Sequence, residues 1–251
     1  MQSIAAMRMA VFVLLCLSFG AIQTVNAAKP AESMDVRAAL QVDVDATGTV
    51  ASAQLVPKDA ARLPAAIADP LLADARSWRF EPATRDGTPV ASSTHVRLTL
   101  RFEPLDADGE AWTLRIVRAS NGPLVTRSTP PAYPKAAIHA RAAARVTVDV
   151  DIAADGAVLD SRVVEVDIAP RHRRHADTFA ESTLESTRTW RYIPEQVAGE
   201  PVASTVREIT TYCINDPDCY RPDDPAAPVD GESIAEAPVT RPLTDLVGRT
   251  L

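Results

Sequence analysis

The chain has 251 residues, 46% hydrophobic and 24% charged, with 26 Lys+Arg against 33 Asp+Glu and a net charge of -7. That composition is globular; it excludes a chain disordered throughout and a multi-span membrane protein. The acidic balance also argues against a nucleic-acid partner held by phosphate attraction. Aromatics make up only 5%, so cores must be thin and built from Val, Leu, Ile and Ala, and the length admits one or two domains.

In chain order, Arg8 precedes an apolar run from Met9 to Ile22, then Gln23-Thr24 and a small-residue site at Val25-Asn26-Ala27. This pattern predicts a cleavable signal peptide over residues 1–27 and export to an oxidising compartment. The run is shorter than the roughly 20 residues that cross a hydrocarbon core; the alternative is a retained inner-membrane anchor through Met9 to Ile22. Cys16 follows Val13-Leu14-Leu15 rather than the small residues of a lipidation site. The other two cysteines, Cys213 and Cys219, flank the turn-forming Ile214-Asn215-Asp216-Pro217-Asp218, and a local disulfide is expected. Metal ligation is the alternative, but no further Cys and no nearby His completes a set of four.

The next feature is internal. Val42-Asp43-Val44-Asp45-Ala46-Thr47-Gly48-Thr49-Val50 recurs as Val150-Asp151-Ile152-Ala153-Ala154-Asp155-Gly156-Ala157-Val158. Trp78-Arg79-Phe80-Glu81-Pro82 recurs as Trp190-Arg191-Tyr192-Ile193-Pro194, and Gly87-Thr88-Pro89-Val90 as Gly199-Glu200-Pro201-Val202. The second copy is longer between its blocks, where it carries Arg171-His172-Arg173-Arg174-His175; insertions belong in loops.

Each copy reads as strand, strand, helix, strand. Leu40, Val42 and Val44 alternate with Gln41, Asp43 and Asp45, the period of a half-buried strand that places Asp43 and Asp45, and likewise Asp149 and Asp151, on the solvent face. Gly48, and Asp155-Gly156 in the second copy, mark tight turns into strands over Val50 to Val56 and Val158 to Val166. Helices are predicted from Ala65 to Ser77, with Ile67, Leu71, Leu72 and Ala75 on one face, and from Asp177 to Thr189, with Phe179, Leu184 and Thr187. Proline after each Trp-Arg-aromatic block forces an extended exit. The last strand of the first copy places Val96, Leu98, Leu100 and Phe102 inward; that of the second runs from Val202 to Ile214. The predicted fold class is therefore α+β: two small domains, each a three-stranded antiparallel sheet covered by one helix. Glu110 to Arg118, with Trp112, Leu114 and Ile116 alternating, is a further strand-like segment able to cap a sheet.

Pro131-Ala132-Tyr133-Pro134-Lys135-Ala136-Ala137, then Val146 to Gly156, then Trp190, Arg191, Tyr192 and Pro194 with Gly199, Pro201 and Val202 form an ordered set. This set resembles the C-terminal domain of TonB, the periplasmic part of an energy transducer that acts on outer-membrane receptors. The resemblance covers about residues 130–220, and a degenerate version without the Tyr-Pro opening covers about residues 36–103, with residues 104–129 as linker. It departs from the family at Ala144, where a glycine is usual, and at Phe179-Ala180, where Leu-Asp commonly opens the helix.

The resemblance implies a periplasmic protein-binding module, linked to transport across the outer membrane, that takes up a partner's extended segment by strand addition. The expected partner strand carries Val202, Ser204, Val206, Ile209, Thr210 and Tyr212, with nothing downstream expected to cover it. The alternative is an envelope adaptor or structural protein that touches cell wall through Arg171, Arg173 and Arg174. No nucleophile motif or phosphate loop appears, and neither His172 with His175 nor His95 and His139 make a metal set, so no enzyme, cofactor, metal, nucleic acid or small-molecule substrate is expected. Trp78 and Trp190 at their corners are expected as core anchors. Residues 221–251, Pro-rich and acidic, are expected to be a disordered tail, with Pro242 to Leu251 the part able to dock.

Overall fold

The computed structural model describes residues 33–105, 111–214, 234–235 (backbone only) and 239–251. The signal segment, Cys16 and Cys219 lie outside these residues, and with them the expected cleavage, the anchor alternative and the Cys213–Cys219 pairing.

The first half runs β1 (Met34–Val44), β2 (Val50–Leu55), a short α1 (Pro57–Ala60), α2 (Ala65–Ala75), β3 (Phe80–Glu81), β4 (Ala83–Arg85), β5 (Thr88–Val90) and the long β6 (Ser92–Pro104). Next come β7 (Trp112–Gly122) and β8 (Leu124–Arg127), the segment expected to be a linker. The second half runs α3 (Lys135–Ala140), β9 (Ala144–Ile152), β10 (Val158–Ile168), a 3-10 turn over Pro170–His175, α4 (Ala176–Thr187), β11 (Arg191–Ile193), β12 (Gln196–Val197), β13 (Glu200–Pro201) and β14 (Ser204–Tyr212). β15 (Ile234–Ala235) and β16 (Arg241–Pro242) follow.

Two cores form where the periodicity places them. Leu40, Val42 and Val44 of β1 and Val96, Leu98 and Leu100 of β6 are buried together with Leu71, Ala75, Trp78 and Phe80. The second core gathers Val146, Val148, Val150 and Ile152 of β9 with Phe179, Trp190, Tyr192, Val206 and Tyr212. Both tryptophans are buried, and each indole N–H finds an acceptor one helical turn back: Asp74 Oδ2 at 2.8 Å for Trp78, Ser186 Oγ at 3.2 Å for Trp190. The ring edge is thereby satisfied while its faces fill the core.

Both hairpins are locked in the same way. Gly48 and Gly156 sit at φ +81°, and a Cβ on either would stand about 2 Å from a backbone oxygen: 2.1 Å from that of Phe80, 2.0 Å from that of Tyr192. In return the Phe80 N–H donates to the Gly48 carbonyl at 2.9 Å and the Tyr192 N–H to the Gly156 carbonyl at 3.0 Å. Only glycine combines that φ with that closeness.

The sheets are wider than the three strands expected. β6 pairs with β1 on one side and, on the other, with β12 at Ser92–Ser93 and with β7 over ten residue pairs from His95 to Pro104, giving a six-stranded sheet. The second sheet is four-stranded, in the order β10-β9-β14-β15. β12 and β13 lie in the second half of the chain yet pair with the first sheet, so the two halves are joined by backbone hydrogen bonds as well as by chain.

Residues 239–251 are a second departure from expectation, since they pack rather than fray. β16 pairs with β3, the Ile116 N–H donates to the Arg249 carbonyl at 2.9 Å, and Leu246 joins the first core. Arg249 grips Asp74 with both its Nε and its Nη2. Two apolar side chains, Leu246 and Leu251, suffice here because they complete an existing core instead of building one.

Candidate functional site

β14 runs along the outer side of β9 in antiparallel register from Ser204 opposite Ile152 to Tyr212 opposite Ala144. The expected strand from Val202 to Ile214 is shorter at both ends. Val202 lies before it, its N–H donating to the Glu195 carbonyl at 3.0 Å. Of the other named residues, Val206 and Tyr212 point into the core and Ile209 is buried on the opposite face, while Ser204 and Thr210 are half-buried. Side chains therefore fix the strand's position and its backbone forms the rim.

Three rings hold the strand's C-terminal end. Tyr133, Phe179 and Tyr212 meet with centroids 4.7 to 5.6 Å apart, two of the three contacts edge-to-face. The Tyr212 and Thr183 hydroxyls lie 2.8 Å apart, and Tyr133 donates to the Ala142 carbonyl at 2.6 Å. At mid-strand, Tyr192 donates to buried Glu208 at 3.2 Å; burial and that carboxylate both push the phenol well above its ordinary range.

On the other face a charge ladder crosses three strands. Asp149 of β9 stands directly opposite Arg162 of β10 and Arg207 of β14, accepting from the former at 2.8 Å and from the latter at 2.8 and 3.2 Å. Asp149 is only 3% exposed, so its expected place on the open solvent face is corrected: the two guanidinium groups cover it. A one-residue slip of either neighbour would leave a buried carboxylate without its partner, so the ladder sets register.

The outer edge of β14 is where the two halves differ most. The corresponding edge of β6 is closed by β7 and β12, whereas on β14 the two-residue β15 pairs with Val206 and Arg207. The expectation that nothing downstream reaches this edge is thus corrected. β15 also lies against β7, in the seam between the sheets. Just beyond it, buried Glu195 accepts from the Thr94 hydroxyl at 2.6 Å and from the Val239 N–H at 3.0 Å, and Asn121 donates to the Thr240 carbonyl at 2.6 Å. Burial raises the Glu195 carboxyl above its ordinary value, against the lowering effect of these donors. Sequence reasoning missed this seam, because a glutamate in a Pro-Glu-Gln turn carries no periodic signal.

Arg171, Arg173 and Arg174 lie exposed on the 3-10 turn, and no Asp or Glu is within ion-pairing distance of them among the described contacts. They sit away from β14 in sequence and element. Among the described residues there is no group of three or more His, Cys, Asp or Glu able to hold a metal, and no helix long and apolar enough to cross a membrane.

Residues 129–212 match the family model described as the Gram-negative bacterial TonB protein C-terminal. Among solved structures, the chain is similar to the solution NMR structure of the Pseudomonas aeruginosa TonB CTD, at 26% identity, covering 37% of this chain and 87% of that one, with a TM-score of 0.29. No curated protein matches the chain.

Proposed function

We propose that this chain, whose residues 129–212 match the TonB C-terminal family model, is a non-enzymatic protein-binding module of the cell envelope. It captures an extended segment of another envelope protein by strand addition along the outer edge of β14. The observation that supports this reading is the pairing of Ile234–Ala235 with Val206 and Arg207: the edge already accepts an antiparallel strand, and among the described residues the chain's own cover is two residues long. The equivalent edge in the first half is taken up by β7 and β12, which favours the second half as the site of addition. The repeated glycine locks at Gly48 and Gly156 support tandem copies, the first now a platform.

Magnitudes favour exchange. A backbone hydrogen bond contributes about 0.5–1.5 kcal/mol net, so releasing β15 costs on the order of 2 kcal/mol, which a guest laddered along the nine residues of β14 more than recovers. The guest is an extended segment of an outer-membrane receptor, exposed in the periplasm, where this chain arrives by its leader peptide. A Cys213–Cys219 disulfide would fasten the end of β14 there. The test is calorimetric titration of the full chain with synthetic receptor segments, beside a chain lacking residues 234–235. Tighter binding by the deletion is expected; equal or absent binding in both leaves the envelope adaptor with Arg171, Arg173 and Arg174 on cell wall as the reading.

A further inference from the structure

The face of the first sheet turned away from α2 holds a cavity of about 760 Å³. Its floor is the cross-strand set Arg37–Thr99–Arg118 and Ala39–Arg97–Ser120, from β1, β6 and β7. One wall is the β2–α1 corner, Val56 to Asp59 with Arg62; the other is the β8–β11 pair, Leu124 to Thr126 with Ile193. That volume is in the range that encloses a small amphiphile.

Two chemistries meet in it. Five cations line the cavity, Arg37, Lys58, Arg62, Arg97 and Arg118, in a chain whose net charge is -7. The one carboxylate among the lining residues, Asp59, is committed to the Ala39 N–H at 2.8 Å and to Arg62 at 2.7 Å. Asp35, outside the lining, is paired with Arg101 at 2.8 Å, and that contact first, then the charges of Arg118 and Arg37, hold its carboxyl below the ordinary range. Arg97 is held in place by donation to Ser120 Oγ at 3.2 Å and to the Pro123 carbonyl at 2.7 Å. Apart from the hydroxyls of Thr99, Ser120 and Thr126, the remaining lining is apolar, with Val56, Pro57, Leu124, Val125 and Ile193 on the walls, the last 41% exposed.

We propose that this cavity binds a single-chain amphiphile with an anionic head, carboxylate or phosphate, its head on the arginine floor and its hydrocarbon between the Val56–Pro57 and Leu124–Ile193 walls. A peptide fits less well, because the cavity lies over a sheet face, not an edge. The floor offers side chains and no free ladder, so a peptide's amides would be buried unpaired. A hydrocarbon tail has no such amides, and its head joins cations that the fold already gathers.

The experiment is titration calorimetry of the full chain with dodecyl phosphate below its micelle-forming concentration. Inorganic phosphate and dodecyltrimethylammonium serve as separate arms. The expected result is one site for dodecyl phosphate, with both others at least tenfold weaker. The exposed pair Arg37→Glu with Lys58→Glu, and separately Ile193→Trp, which fills the wall space, each weaken it at least tenfold. Receptor-segment binding at β14 is unchanged in both variants, so this proposal and the strand-addition reading fail separately. Far-UV circular dichroism identifies a charge-reversed chain that does not fold, in which case Ile193→Trp decides. Equal binding of the cationic chain, affinity unchanged in a folded variant, or inorganic phosphate binding as tightly as the amphiphile would each overturn it.

Discussion

Replacing Gly156 with Ala tests whether the hairpin lock, rather than glycine's freedom alone, holds the second half together. At φ +81° an L-residue costs about 1–2 kcal/mol. The added Cβ would also stand 2.0 Å from the Tyr192 carbonyl oxygen, so that oxygen must move and the 3.0 Å Tyr192-to-Gly156 hydrogen bond goes with it, a further loss of about 1 kcal/mol. The expected total is about 3 kcal/mol. Gly199 is the control: its φ is +78°, but a Cβ there would meet nothing within 4 Å. Gly199→Ala therefore keeps only the backbone cost of about 1–2 kcal/mol, and the gain from a stiffer unfolded chain is common to both. In thermal melts followed by far-UV circular dichroism, at about 2–4 °C per kcal/mol for a chain of this size, Gly156→Ala should melt clearly lower than Gly199→Ala. Equal losses in the two variants would refute the close-approach argument.

Three further outcomes follow from the same geometry. Asp149→Asn should lower stability by about 1–2 kcal/mol in urea unfolding, since Arg162 and Arg207 lose their shared charge but are partly solvated and can turn to water; no change in midpoint would remove the ladder from the account. His95, 4% exposed, is lowered from 6.5 to about 4, by burial first and then by Arg97, with Asp43 opposing. A folded value below the unfolded one means stability present above pH 6.5 and lost as pH falls through about 4, so wild type should lose on the order of 3 kcal/mol relative to His95→Gln over that window. Parallel pH curves for the two proteins would contradict it. Ala198 holds φ +52° in the two-residue turn between β12 and β13, where Asn is better suited, so Ala198→Asn should raise the melting temperature by about 1–4 °C; a lower melting temperature would contradict the turn assignment.

What could be read from the sequence was whatever repeats with a short period or stands at a corner. Alternation located β1, β6 and β9, helical spacing located α2 through Leu71 and Ala75, and the Trp-Arg-aromatic-Pro blocks located the corners. β7 was foreseeable from Trp112, Leu114 and Ile116 as a strand that caps a sheet. What escaped were two-residue pairings between distant segments: β12 on β6, β16 on β3 and β15 on β14. Such pairings are too short to carry a period, and their register is set by neighbours already folded. Asp149 escaped for a related reason, because alternation shows which face a side chain takes but not that two arginines from adjacent strands close over it. The pairing of β14 with β9 carries no sequence signal of its own, and the cover of its outer edge comes from a segment whose proline-rich composition suggests no strand.

The most direct test of the central claim is residue-resolved amide hydrogen exchange on the full chain, with and without a saturating receptor segment. Strand exchange predicts that Ile234 and Ala235 lose protection while Val206 and Arg207 keep or gain it, because the guest takes over their pairing. A bound segment that leaves Ile234 and Ala235 protected and β14 unperturbed would place recognition elsewhere and contradict the account.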